Sequence, residues 1–112
     1  MNRFINWCDE HARDCMGQKA SLHADGRDDE ANFMQIRANV YGIFRSVCTT
    51  VKGDLPQLQA RLTSIPAAWE ASLREAERHG DEPRAHIERI KLETVAAIRH
   101  YVCNLQEAND HD

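Results

Sequence analysis

The sequence predicts an all-α fold, an up-down four-helix bundle whose third helix is broken at Pro66. Three observations carry that expectation. The stretch from Phe33 to Val51 is the most apolar long segment, and its apolar residues recur at helical spacing. The chain has only three prolines and five glycines, and the prolines with Gly26, Gly53 and Gly80 fall where helices would start, break or end. Four segments of similar length are joined by short connections, which favour antiparallel neighbours.

The Phe33–Val51 stretch organises the rest. At ~100° per residue, Phe33, Ile36, Val40, Ile43, Phe44, Val47 and Val51 share one face. Met34, Tyr41 and Cys48 form a second row beside it. The combined arc covers roughly half the circumference, wider than the ~100° stripe of an ordinary surface helix. Such a helix contacts neighbours on two sides and belongs at the centre of the bundle. Gln35, Asn39, Gly42, Ser46 and Thr49 lie opposite and should face water. The adjacent apolar pairs Val40-Tyr41 and Ile43-Phe44 break the alternation that a strand would need.

The first helix is expected from about Asn2 to His23, with Phe4, Trp7, Cys8, His11, Cys15 and Leu22 on one face. Asp9 and Arg13 are spaced to pair on its outside. Gly26 suits a left-handed stop, and Asp28 or Asp29 is placed to cap the second helix. That helix ends at Gly53, and Asp54 caps the next, where Leu55, Leu58 and Leu62 mark a short helix. Pro66 cannot donate to the carbonyl four residues back, so the helix breaks or kinks there, with Ser64 as the expected cap of the restart. Trp69, Leu73 and Ala76 carry the apolar face on to Gly80. The run Gly80-Asp81-Glu82-Pro83 then reads as stop, cap and start. The last helix runs from Pro83 to about Gln106, with Ile87, Ile90, Thr94, Ile98, Tyr101 and Leu105 inward, flanked by Val95 and Val102. The tail over 107–112 has no apolar residue beyond Ala108 and should fray.

The 112 residues fit one helical domain able to bury a core without staples. Charged residues make up 29% and the net charge is -4. No lysine or arginine cluster offers nucleic acid the basic face it requires. No apolar run approaches the ~18 residues of a membrane span, and Met1 leads into a polar amphipathic segment rather than a leader. The expected compartment is the cytoplasm, where the four cysteines, Cys8, Cys15, Cys48 and Cys103, would be thiols.

Cys8, His11 and Cys15 form the most suggestive cluster, since thiolate and imidazole bind zinc. Cys8 and Cys15 are two turns apart, ~10 Å along one helix, too far to share one ion. Only Cys8-His11 or His11-Cys15 could ligate together, with Cys48 from the second helix as a further donor. The competing reading makes the cysteines small core hydrophobes. A di-iron bundle needs Glu-x-x-His, and no histidine here follows a glutamate at that spacing. No phosphate loop, HExxH or GxSxG occurs. Arg37 and Lys91 interrupt apolar arcs, and each must reach water or an acid, either as a cationic pocket or by snorkelling.

The final helix carries one more face. Leu92, Ala96, Arg99 and Cys103 are aligned three, four and seven apart, turned away from the Ile87-Ile98-Leu105 stripe. With the over-wide arc of the second helix, this row makes a homodimer contact the expected use of the leftover apolar surface. The leading functional expectation is therefore a non-enzymatic module for protein interaction or oligomerisation, with no cofactor and neither nucleic acid nor membrane as partner. The alternative is a ligand- or metal-binding bundle using His11 and the inner-face cysteines.

Overall fold

The computed structural model describes residues 2–110, with side chains through Leu105. It is a four-helix up-down bundle built from five helical pieces: α1 (Asn2–Ala24), α2 (Asp28–Thr50), α3 (Leu55–Ser64), α4 (Pro66–Arg78) and α5 (Glu82–Asp110). Among the described residues there is no strand, and no helix is long and apolar enough to cross a membrane. The tail expected to fray over 107–112 has a helical backbone through Asp110, and its last two residues lie outside the described residues.

The third member is α3 and α4 together, bent at the predicted proline. Ile65, between them, keeps helical angles of φ -65 and ψ -47, so the interruption is a bend and not a loop. For that reason Ser64 does not cap a restart: no side chain caps α4, because the chain never leaves the helical conformation. At α2 the expected aspartate cap is also absent. Asp28 is the first helical residue and its carboxylate meets His23 at 2.8 Å, while Arg27 occupies the N-cap without a capping hydrogen bond. Two caps form as the spacing predicts: Asp54 accepts from the Gln57 amide at 3.1 Å, and Asp81 from the Arg84 amide at 3.2 Å. Gly26, Gly53 and Gly80 end helices at φ of 77, 74 and 69, a region where an L side chain is strained.

α2 is central, as its wide arc requires. It packs antiparallel on α1 through Arg45–Asp9 at 2.7 Å and Lys19–Gln35 at 2.8 Å. On its other side it runs parallel to α5, with Phe33 against His86 and Arg37 against Glu93. In a square bundle the second and fourth members sit on a diagonal, and here that diagonal is a direct contact. The bent α3–α4 member lies antiparallel along α5, where Lys91 covers Trp69 and Arg99 reaches Leu62. Asp9 therefore pairs across helices with Arg45, not along its own helix with Arg13.

Phe4, Cys8, Val40, Phe44, Cys48, Leu58, Leu62, Val95, Ile98 and Val102 form the heart of the core. Each large side chain buried there contributes about 1.5–3 kcal/mol. One member of the predicted stripe falls outside it: Ile43 is 38% exposed. α5 lies toward Phe44 and Val40, so the edge of the arc at Ile43 is left without a neighbour. Val47, one turn on, is half-buried against the core.

Candidate functional site

The thiols and His11 were the sequence's chemical candidates. Cys8 and Cys15 on α1 and Cys48 on α2 are buried, Cys103 on α5 is exposed, and all four are unpaired. Burial pushes the Cys8 thiol up to about 12, helped by neighbouring Cys48 and Asp9 and opposed by Arg45. Burial likewise raises Cys15 and Cys48. Burial of this kind disfavours the thiolate, the form in which a cysteine acts as a nucleophile. His11 is stacked on Tyr41 at 5.2 Å and meets Trp7 edge-on at 4.3 Å. Among the described residues no three His, Cys, Asp or Glu side chains are close enough to hold a metal ion. Cys8, His11, Cys15 and Cys48 thus line one helix interface without assembling a ligand set.

The aromatic neighbours of His11 have a packing role. Trp7 stacks on Tyr101 at 4.3 Å with an interplanar angle of 11°, and Phe4 contacts both rings. The cluster ties α1 to the end of α5, and the Tyr101 hydroxyl donates to the Arg3 carbonyl at 3.4 Å.

Arg37 and Lys91 both find acids. Arg37 Nη2 lies 3.1 Å from Glu93 Oε2, with both side chains at the surface edge. Lys91 Nζ lies 3.1 Å from Glu88 Oε1 and 5.5 Å from the Trp69 ring centroid, a cation–π geometry. Glu88 was not anticipated from the sequence. It is only 6% exposed, and its Oε2 has no hydrogen-bond partner. The available signal was its place three residues before Lys91, one turn away on the same helix.

The predicted row on α5 is uneven. Leu92 is half-buried, and Ala96, Arg99 and Cys103 are exposed. Arg99 is already engaged: its Nε and Nη2 donate to the Leu62 carbonyl at 3.1 and 2.6 Å. Beside it runs a shallow groove of about 190 Å³ between α3 and α5, lined by Leu62, Thr63, Val102 and Cys103 among others.

A second surface stands out on α2. Between Ala31 and Val51 the only charged residues are Arg37 and Arg45, and both lie at the edges of the helix surface, drawn into ion pairs with acids of neighbouring helices. The outward side, Asn32, Asn39, Gly42, Ile43, Ser46, Thr49 and Thr50, is exposed and carries no charge. Gly42 leaves it flat, since a Cβ there would meet nothing within 4 Å. At its upper end the face runs into an apolar groove of about 280 Å³ formed by Phe33, Ile36, Pro83, His86 and Ile87, with Asn32 and Asp29 at the edge. The sequence carried the signal for this face as a gap in charge, in a chain where charged residues reach 29%. Comparison with known protein families, with characterised proteins and with solved structures finds no match for this chain.

Proposed function

We propose that this protein is a non-enzymatic interaction module that works as a homodimer through the uncharged outer face of α2. The observation that supports the reading is Ile43, 38% exposed on that face between the half-buried Ile36 and Val47. Depletion of charge around a partly exposed aliphatic strip is the composition of an interface core. A second copy is the occupant this chemistry favours. The face has no charge of either sign, so two copies meet without like charges opposed, and an acidic or basic partner gains no steering there. A two-fold contact also lets Gly42 and Ser46 of each copy admit the other helix closely.

Sedimentation velocity at tens of micromolar tests the reading. The parent chain should sediment as a dimer, and Ile43→Glu should convert it to a folded monomer. A parent that is monomeric throughout that range refutes self-association. A dimer that survives Ile43→Glu and yields to Leu92→Glu moves the contact to the Leu92, Ala96, Arg99 and Cys103 row of α5.

A further inference from the structure

We propose that Arg99 supplies the hydrogen-bond donor that Pro66 lacks, and so latches the bend between α3 and α4 onto α5. In a continuous helix the Leu62 carbonyl would accept from the amide of residue 66. Proline has none, and its ring pushes that carbonyl away. A buried backbone carbonyl without a donor is costly. Leu62 is fully buried as a residue. Two nitrogens of the Arg99 guanidinium converge on its carbonyl, at 3.1 and 2.6 Å. The bond is stronger than a neutral one because the donor is charged, and the carbonyl lies in the last turn of α3, at the negative end of the helix dipole.

The consequence concerns the path of the whole third member. Ile65 remains helical, so no slack loop separates α3 from α4. The proline permits the bend, and a residue on another helix fixes its direction. α4, whose principal contacts are with α5 and α3, is positioned by that tie together with Trp69 under Lys91. Arg99 is thus a positioning residue, and its role is independent of the dimer proposed above.

A double-mutant cycle on the full chain tests the latch. Arg99→Ala should lower the folding equilibrium constant about tenfold, the size of a hydrogen bond from a charged donor. In a Pro66→Ala background, position 66 carries its own amide, and the same substitution should then lower the constant by less than about threefold. Equal losses in the two backgrounds, or no loss in the parent, overturn the proposal. Should Pro66→Ala not fold, Arg99→Lys gives a second reading, because one ammonium cannot reproduce the forked contact. The Leu62 carbonyl-carbon NMR resonance should then shift while those of neighbouring α3 carbonyls stay in place. An unmoved Leu62 resonance also overturns it.

Discussion

The two ends of the bundle are built from the same apolar spacing and packed to different depths. At one end the start of α1, the close of α2, all of α3 and the close of α5 converge, and Phe4, Phe44, Leu58, Leu62, Ile98 and Val102 are fully buried. At the other end α1 buries nothing beyond Cys15, and Phe33, Ile36 and Ile87 are only half covered. The difference lies in the number of neighbours. α3 packs against both α2 and α5 at the first end, whereas α4 at the second packs chiefly on α5 and leaves that end of α2 less covered. Periodicity therefore identifies the inward face of a helix but not how far along it a partner reaches. The radius of gyration, 15.3 Å, exceeds the ~13 Å of a fully compact chain of this length, in keeping with one open end.

The comparison breaks first at its aromatic residues. Phe44→Ala should destabilise the protein by about 3–5 kcal/mol, through lost burial and the cavity left behind. Phe33→Ala, the same change at the open end, should cost about 1 kcal/mol. Urea denaturation measures both, and equal costs would mean the open end is as tightly closed as the other.

A second contrast concerns the charge buried under α4. Glu88 is enclosed, with Lys91 as its one ionic partner among the described residues. Removing Lys91 leaves an enclosed carboxylate unpaired, whereas removing Glu88 leaves an ammonium that is 27% exposed and still reaches water. Lys91→Met keeps the stem on Trp69 and should cost about 2 kcal/mol, because Glu88 is left unpaired. Glu88→Met should lie within about 1 kcal/mol of neutral. A larger loss for Glu88→Met than for Lys91→Met would show that the carboxylate has a donor on α4.

Much of this was legible in the sequence, and the remainder has physical reasons. Helix number, the stops at Gly26, Gly53 and Gly80, the bend at Pro66 and the central place of α2 all follow from local chemistry and spacing. The caps expected from Ser64 and Asp28 did not form, because the backbone enters each helix without the extended residue that a cap requires. The exposure of Ile43, the burial of Glu88 and the pairing of Arg99 with Leu62 depend on which helix stands beside which. No periodicity within a single helix encodes that. Of the candidate residues, the cysteine rows were readable as inward or outward, whereas their failure to converge on His11 was only partly so.

The thiols distinguish the closed end by its response to pH. Cys8, in the fully buried cluster, is pushed from its ordinary 9.0 to about 12. The folded protein therefore holds a proton that the unfolded chain releases. Its contribution is fully present below pH 9 and declines as pH rises toward 12, with a slope of at most about 1.4 kcal/mol per pH unit. The raised Cys15, Cys48 and Tyr41 act in the same sense. Urea midpoints at pH 8 and 10.5 should fall for the parent chain and fall less steeply for Cys8→Ala. A Cys8→Ala variant with the parent's slope would place Cys8 in contact with water.

The smallest effect sets two adjacent residues of α2 against each other. Phe44 is 0% exposed and Ile43 is 38% exposed, although both belong to the apolar arc and differ by one step along the helix. Within one molecule, Ile43→Asn removes little buried area and introduces no charge. Isoleucine and asparagine also have comparable helix propensities. The monomer should therefore lose no more than about 0.5–1 kcal/mol, the range of a surface substitution. The same change across a two-fold axis acts twice, once from each copy, and weakens the dimer while leaving the monomer intact. Denaturation followed at several protein concentrations separates the two effects. The parent's midpoint should rise with concentration and that of Ile43→Asn should not. A variant whose loss is the same at every concentration, and close to that of Phe44→Ala, would put Ile43 inside the monomer core and remove the charge-free face as a place for a second copy.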